Sequence, residues 1–272
     1  MYDNIMYDNI MYDNIMYDNI MYDNIMYDNI VLEYKLSEYK FYKCLTEHYK
    51  TIYTSFTDLE HVHSILDSSD LTNDEKNYYK EIPIFGQTDR KSVFVKDFYK
   101  FIDTDYTFLS EYIDFIKYVI KPLFKLEDKL VVQKTPNIRF HLPGCSNIGK
   151  RDIDQWEDII GLHHDGEFGH PAEELNIVLP ITEMFESNSI YYEPYPNSMI
   201  DVHTYPSMNL KKQNFFMGYL NKCNHYNRIN TTIQTRVSLD FRIIPYSKFK
   251  ISENISATTN TKFDIGNYYM LL

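Results

Sequence analysis

Residues 161–176 concentrate the side chain types that bind metal ions. The stretch reads GLHHDGEFGHPAEELN and contains three of the nine histidines of the chain, together with an aspartate. His163 and Asp165 form a His-x-Asp pair, and on extended backbone such residues leave the same face and can converge on one ion. A polar turn exposed to solvent is the competing interpretation of this stretch.

A metal site with open coordination positions needs one more ligand, and His225 is the candidate. Two imidazoles and one carboxylate form a facial triad, which leaves positions open for substrates. His225 stands in NKCNHYNRIN, just past the apolar run FFMGYL. Cys223 is close by, and a thiolate ligand at that position would instead favour zinc.

A candidate anion-binding pair follows in TRVSLDFR. Arg236 and Ser238 alternate on one face of a predicted strand, and an arginine beside a hydroxyl can hold a carboxylate through charge-assisted hydrogen bonds. Asp240 and Arg242 continue the polar alternation. The face is therefore either a solvent-exposed strand face or a charged lining at the mouth of a barrel, with Asp240 and Arg242 paired.

Residues 31–125 have the features of helices. Threonine followed three residues later by glutamate, at Thr57/Glu60 and Thr72/Glu75, predicts two N-terminal capping boxes. In YTFLSEYIDFIKYVIKPLF, four apolar residues follow helical spacing until Pro122. These residues are Leu109, Ile113, Ile116 and Ile120.

From about residue 129 to 247 the sequence changes to short β runs separated by turns. The runs are LVVQ, IRFHL, IIGLH, LNIVL, SIYYE, DVHTY, FFMGYL and TRVSLDFRII. Short strands without intervening helices favour an antiparallel sandwich or jelly roll. Helices followed by strands predict an α+β fold in which the helices brace a double sheet. We therefore expect one domain over residues 31–272, with a C-terminal tail from residue 248 to 272.

Residues 1–30 are the unit MYDNI repeated six times. A five-residue period gives no constant apolar face on either a helix or a strand. The sequence therefore predicts a disordered, low-complexity tail outside the functional unit, with self-association as the alternative role.

Composition excludes several classes of function. The net charge of −12 argues against sequence-independent binding to nucleic acid or anionic membranes. Cys44, Cys145 and Cys223 are far apart, imply no disulfide framework and fit a reduced compartment. No signal peptide is visible, and no apolar run approaches the roughly 20 residues that span a bilayer. We expect a soluble, intracellular protein that acts on a small molecule; its oligomeric state is left open.

The order His-x-Asp, His and Arg-x-Ser resembles the Fe(II)/2-oxoglutarate-dependent dioxygenases. Over about residues 130–247, the sequence is similar to the streptomycin-biosynthesis-type hydroxylase branch of that superfamily. The matching segments are QKTPNIRFHLPG, HHDGEFGHPAEELNIVLPIT, NSIYYEP and HYNRINTTIQTRVSLDFRIIP. This resemblance implies a double-stranded β-helix, or jelly-roll, core.

The resemblance also implies roles for individual residues. His163, Asp165 and His225 would bind Fe(II). Arg236 and Ser238 would hold the distal carboxylate of 2-oxoglutarate, with O₂ as the second co-substrate. The expected reaction is hydroxylation of a sugar- or aminoglycoside-like molecule. Candidates for lining the substrate pocket are Gln133, Arg139, His170, Asn176 and Glu193; His170 is equally well explained as a surface residue.

Two other functions fit parts of the sequence. A jelly-roll binding module, metal-loaded or empty, would keep the scaffold without oxygen chemistry. GCSNIGKR, from Gly144 to Arg151, matches a phosphate-binding loop up to its last position, where Arg151 replaces the Ser or Thr that ligates Mg²⁺. Nucleotide hydrolysis is therefore disfavoured.

Overall fold

Ten strands form two antiparallel sheets in this computed structural model, which describes residues 29–80, 92–145, 159–256 and 260–272. The larger sheet has seven strands in the order β1-β7-β5-β9-β2-β10, with β3 also paired to β9. The smaller sheet has the order β4-β8-β6. The strands are β1 Ile30–Glu33, β2 Leu130–Gln133, β3 Asn137–His141, β4 Ile160–His163, β5 Leu175–Pro180, β6 Ile190–Tyr192, β7 Asn214–Gly218, β8 His225–Asn227, β9 Arg236–Pro245 and β10 Tyr269–Leu271.

Strand β9 organises the larger sheet. On one side it pairs with β3 through its first half and with β2 through its last residues, and on the other side it pairs with β5. Because side chains alternate along a strand, its residues fall into two sets. The apolar set belongs to the main hydrophobic core; it consists of Val237, Leu239, Phe241 and Ile243.

In the described part of the chain, three α-helices contribute buried apolar side chains to the core on that face of the larger sheet. They are α1 Phe41–Ile52, α3 Val93–Thr104 and α4 Thr107–Phe115, and α2 Asn73–Lys80 lies between α1 and α3 in sequence. Tyr112 of α4 packs edge-on against Phe241 with ring centroids 5.0 Å apart, and its hydroxyl donates to the Gln133 carbonyl at 2.7 Å. Tyr49 of α1 contacts Phe140 of β3 in the same way. The helices thus leave the opposite, polar face of β9 to the smaller sheet.

The α+β prediction is confirmed in its coarse form, since helices and antiparallel sheets share the chain. The capping box at Thr72 and Glu75 is present, because each backbone N–H bonds to the other side chain. The one predicted at Thr57 and Glu60 is wrong. No α-helix begins there; a 3-10 helix follows at Val62–Asp67, and the Glu60 carboxylate bonds a tyrosine and a lysine from other elements.

The helix predicted to run to Pro122 is correct in extent but irregular. The α-helix α4 ends at Phe115 and continues as a π-helical turn over Ile116–Ile120. A 3-10 turn, Lys121–Leu123, then contains Pro122.

In the described part of the chain, no helix combines the length and apolar character that crossing a bilayer requires.

Three short strands were not predicted, and one predicted strand is absent. β1, β8 and β10 have only three or four residues each, too few for a clear alternation. The run DVHTY forms a 3-10 turn, Val202–Thr204, instead of a strand. Its Asp201 carboxylate accepts from the His203 N–H, a local bond that competes with sheet pairing.

The last repeat unit contributes to the larger sheet through Asn29 and Ile30. The Asn29 side chain donates to the Pro194 carbonyl at 2.9 Å and accepts from the Tyr219 N–H at 2.9 Å. A Cβ at Gly218 would overlap the Asn29 side-chain oxygen, so this approach requires glycine. The rest of the repeat, and the phosphate-loop-like segment from residue 146 onward, lie outside the described residues.

Candidate metal centre

His163, Asp165 and His225 meet where strand β4 ends and strand β8 begins. His163 ends β4, His225 begins β8, and the two residues are direct partners across these strands. The Nε2 atom of each histidine lies 3.7 Å from Asp165 Oδ1. One ligand atom from each residue falls within 4.8 Å of the others, so the three could hold one metal ion.

The loops around Asp165 set its position. Asp165 begins a 3-10 turn after β4, and its N–H donates to the Leu220 carbonyl at 3.0 Å. The next N–H, of Gly166, donates to the Asn221 carbonyl at 3.1 Å. A Cβ at Gly166 would lie 2.7 Å from that carbonyl oxygen, so glycine allows the turn to dock on the loop before His225.

Both imidazoles have the orientation that metal ligands need. Nδ1 of His163 contacts the Gly161 carbonyl, and Nδ1 of His225 lies 3.1 Å from the Cys223 carbonyl. With the proton on Nδ1, each Nε2 keeps a lone pair directed at the cluster, as is usual for metal-binding histidines. Burial and the neighbouring His163 lower the pKa of His225 to about 4, so its imidazole is neutral near pH 7.

The alternative with Cys223 as a zinc ligand finds no support in the described residues. Cys223 is buried and is not part of the group that could hold a metal. Burial raises the pKa of its thiol to about 11, which opposes formation of the thiolate that zinc requires.

Asp165 is held as a carboxylate by groups on its other oxygen. Oδ2 accepts from Arg242 at 2.6 Å and from the Asn176 amide at 2.7 Å. Burial alone would raise the pKa of Asp165, but Arg242 and the neighbouring histidines hold it well below its ordinary value. Oδ1 is left facing the two Nε2 atoms.

Arg236 is fully buried, so the predicted alternative of a solvent-exposed strand face is wrong for this residue. One guanidinium nitrogen donates to the Asn188 carbonyl at 2.9 Å and to Asn227 Oδ1 at 3.2 Å. Nε and the other terminal nitrogen have no hydrogen-bond partner among the described residues. Burial, with Arg139 nearby, lowers the pKa of Arg236 to about 9, which still leaves it charged near pH 7.

A cavity between the two sheets joins Arg236 to the histidines. Three guanidinium groups and two carboxylates contribute to its wall, beside a few apolar side chains. The lining residues are Arg139, His163, Asp165, Asn176, Val178, Ile190, Leu220, His225, Asn227, Arg236, Ser238, Asp240 and Arg242. The polar set of β9 therefore faces this cavity, and Asp240 and Arg242 are paired as one interpretation of the sequence proposed.

The predicted substrate-pocket residues divide into two groups. Arg139 and Asn176 line the cavity, whereas Gln133, His170 and Glu193 do not line it. Each of these three is bonded elsewhere. The Gln133 amide donates to a nearby backbone carbonyl at 2.7 Å, His170 Nδ1 lies 2.8 Å from a buried glutamate, and Glu193 accepts from two backbone N–H groups.

Arg242 and Asn227 contact residues of the site but were not assigned a site role from the sequence. Arg242 was predicted only as a partner for Asp240, and its ion pair with Asp165 depends on a contact between distant parts of the chain. Asn227 was not considered. It lies two residues after His225 on β8, so strand alternation on the same face was the available signal.

Comparison with known proteins gives one curated relative. No protein-family model matches the chain. The streptomycin biosynthesis protein StrG of Streptomyces griseus is 26% identical over 144 residues, which is 52% of this chain and 60% of that protein. The alignment thus spans less than two thirds of the relative's length. This similarity confirms the resemblance to the streptomycin-biosynthesis branch.

The chain also matches three solved structures, each at a TM-score below 0.5. The nickel complex of the non-haem monooxygenase ThoJ covers 82% of this chain and 75% of its own, at a TM-score of 0.42 and 12% identity. The match to EvdO2 of Micromonospora carbonacea, complexed with 2-oxoglutarate, covers 48% of this chain and 64% of EvdO2, at a TM-score of 0.33 and 15% identity. The match to the α-ketoglutarate-dependent epimerase SnoN covers 50% of this chain and 56% of SnoN, at a TM-score of 0.35 and 13% identity.

Proposed function

We propose that this chain is an Fe(II)- and 2-oxoglutarate-dependent oxygenase that hydroxylates a small molecule. One observation carries the proposal. Two imidazole nitrogens and one carboxylate oxygen face one another in a cavity whose wall contains a buried arginine with unpaired donors. In this proposal the two sheets are the halves of a double-stranded β-helix, and residues 31–272 act as one unit.

The donor set fits Fe(II). Two neutral imidazoles and one monodentate carboxylate are the ligands of the facial triad in non-haem iron oxygenases. His163 and His225 direct Nε2 to the same point as Asp165 Oδ1. Bound iron would supply the oxygen chemistry, and the chain would position and shield it.

Arg236 fits the distal carboxylate of 2-oxoglutarate. An unpaired polar group in a buried wall costs roughly 1–3 kcal/mol, more when charged, so a ligand that pairs with it gains affinity. The unpaired Nε and terminal nitrogen can donate side by side, which suits a carboxylate. Ser238 is buried on the same strand face and would add a hydroxyl donor.

The charges of the cavity also favour a dianion. Three arginines and two aspartates line it, so the wall has an excess of positive charge before any metal binds. A divalent ion would increase that excess. A dicarboxylate such as 2-oxoglutarate would offset it, whereas a cationic ligand would not.

The proposed prime substrate is a sugar- or aminoglycoside-like molecule. The relative StrG is a streptomycin biosynthesis protein, and this relation is the support for the class. Arg139 and Asn176 remain the proposed substrate contacts because both line the cavity. Val178, Ile190 and Leu220 provide its apolar lining and would limit the entry of water.

The test measures succinate formed from 2-oxoglutarate by the full chain with Fe(II) and ascorbate. We expect turnover that is abolished in His163→Ala and retained in His170→Ala, a control for loss of a nearby histidine outside the cavity. The absence of both turnover and 2-oxoglutarate binding in the wild-type protein would contradict the proposal. It would favour the jelly-roll binding module.

A further inference from the structure

Arg242 connects Asp165 to the centre of the larger sheet. One of its terminal nitrogens donates to Asp165 Oδ2 at 2.6 Å, and the other contacts Asp240 Oδ1. The Arg242 side chain and Asp165 are buried, and Asp240 is half-buried. Asp165 and Asp240 together raise the pKa of Arg242 well above its ordinary value despite burial, so the guanidinium stays charged.

Asp240 is itself fixed from the neighbouring strand. Arg139 Nε donates to Asp240 Oδ2 at 2.6 Å, and the Asn137 amide donates to Oδ1 at 2.9 Å. Both donors belong to β3, which pairs with β9 in this region. Arg242 is therefore anchored at one end by strand-bound groups, and its other end reaches Asp165.

A second donor fixes the same oxygen of Asp165. The Asn176 amide nitrogen donates to Oδ2 at 2.7 Å, and the Asn176 oxygen accepts from the Asn221 N–H at 3.1 Å. Oδ2 thus has two donors, whereas Oδ1 faces His163 and His225. Rotation of the carboxylate would break two short hydrogen bonds, one of them charge-assisted.

We propose that Arg242 is a positioning residue that holds Asp165 as a one-oxygen metal ligand. This inference rests on the proposed function. A carboxylate without such a constraint can bind an ion through both oxygens or turn away from it. With Oδ2 held by Arg242, only Oδ1 is presented to the ion, and the remaining coordination positions stay open for co-substrates.

The direction in which metal affinity changes when Arg242 is replaced distinguishes a positioning role from a purely electrostatic one. The positive charge of Arg242 repels a divalent cation, so removal of the charge alone would tighten metal binding. Loss of positioning has the opposite effect, since outer partners of metal ligands typically contribute about 10- to 100-fold in affinity. We therefore expect weaker metal binding by about 10-fold or more in Arg242→Gln.

The experiment titrates Fe(II) and Co(II) into the metal-free full chain under anaerobic conditions, with binding measured by calorimetry. The variants are Arg242→Gln and Arg242→Lys, the second of which keeps the charge but not the planar two-ended contact. The Co(II) absorption spectrum reports the coordination number in each variant. Lys250→Gln is the control, because it removes an exposed lysine that pairs with Glu173 at the surface.

Weaker binding with an altered Co(II) spectrum in both arginine variants, and an unchanged dissociation constant in Lys250→Gln, is the expected result. Thermal unfolding identifies any variant that does not fold, and the folded one of the pair then decides. Metal binding as tight as wild type, or tighter, in a folded arginine variant would overturn the positioning role alone. A wild-type chain that binds no metal would instead overturn the proposed function.

Discussion

Two buried carboxylates in one segment of the chain, Asp165 and Glu174, have opposite environments. Both oxygens of Glu174 have partners: one accepts from the Tyr269 hydroxyl, and the other lies 2.8 Å from His170 Nδ1. At Asp165, one oxygen is similarly occupied, but the other faces the imidazole nitrogens of His163 and His225. A carboxylate and histidine thus form a cluster with all carboxylate oxygens bonded at Glu174, which we call the closed cluster. At Asp165 a carboxylate and two histidines leave donor atoms that face one another.

The difference between the two clusters originates in the partner that each histidine Nδ1 bonds. His163 and His225 each bond a backbone carbonyl two residues earlier through Nδ1, so Nε2 projects toward Asp165. His170 instead uses Nδ1 on Glu174 and packs its ring against Phe263, with centroids 4.6 Å apart. A capacity to bind metal therefore depends on unpaired lone pairs that converge, and histidine density alone does not indicate it.

The largest expected effect separates the two clusters directly. Replacement of His225 by alanine removes a ligand, and we expect metal affinity to fall by more than about 100-fold, beyond the range of outer-partner effects. His170→Ala should leave the metal dissociation constant unchanged. Calorimetric titration with Fe(II) measures both. Equal losses in the two variants would show that the clusters do not differ in this way.

The second prediction concerns the unpaired donors of Arg236. Arg236→Gln removes a buried charge partner for a carboxylate, which typically costs 2 kcal/mol or more, so the dissociation constant of 2-oxoglutarate should rise about 30-fold or more. Metal affinity should change little. Arg228→Gln, which removes an arginine stacked on Tyr191 outside the cavity lining, is the matched control. Unaltered 2-oxoglutarate binding in Arg236→Gln would remove this residue from the co-substrate site.

The closed cluster of Glu174, His170 and Tyr269 should contribute to the stability of the fold and not to metal binding. Tyr269→Phe leaves one oxygen of the buried Glu174 without its donor, so the free energy of unfolding should fall by about 1–3 kcal/mol. Metal affinity should be unchanged. Urea unfolding measures the first quantity, with Tyr118→Phe as the control because Tyr118 is exposed. A shift in metal affinity without loss of stability would contradict the separation of the clusters.

His141, which is fully buried, extends the comparison to pH. Burial, with Arg236 nearby, lowers its pKa to about 3 from an ordinary value of 6.5. The unfolded chain therefore binds a proton that the folded chain excludes, and stability is lost as the pH falls from about 6.5 toward 3. The slope is at most about 1.4 kcal/mol per pH unit.

The measurement is the free energy of unfolding in urea at several pH values. His141→Asn should reduce the acid slope in this interval, whereas His203→Asn, at an exposed position, should leave it unchanged. An identical slope in wild type and His141→Asn would show that His141 does not titrate as a buried neutral group.

Strand periodicity predicted the parts of the site that depend on one element. Arg236 and Ser238 were assigned to one face of β9 because alternate residues share a face, and both are buried in the cavity wall. The same rule was applied to His-x-Asp at residues 163–165, but only His163 lies in a strand, and Asp165 begins the 3-10 turn after it. His225 required the resemblance to a family, since no local pattern connects residues so far apart in sequence.

Contacts between distant elements were beyond sequence patterns. The ion pair of Arg242 with Asp165 joins β9 to a turn after β4, and alternation along β9 suggested only the nearer partner, Asp240. Glu193 and His170 were assigned to the substrate pocket because they lie in matching segments. Their side chains bond neighbouring groups instead, and the partner that a polar side chain selects depends on the folded environment.

The contacts of Asn29 have a consequence for changes in the number of MYDNI copies. Asn29 and Ile30 end the sixth copy, and the residues that follow them in β1 belong to unique sequence. Gain or loss of a whole upstream copy would place an identical Asn-Ile pair before Val31, so every contact described for Asn29 would be restored. The number of copies can therefore drift during gene replication without altering this edge of the sheet, whereas a substitution in the final copy cannot be compensated by the others.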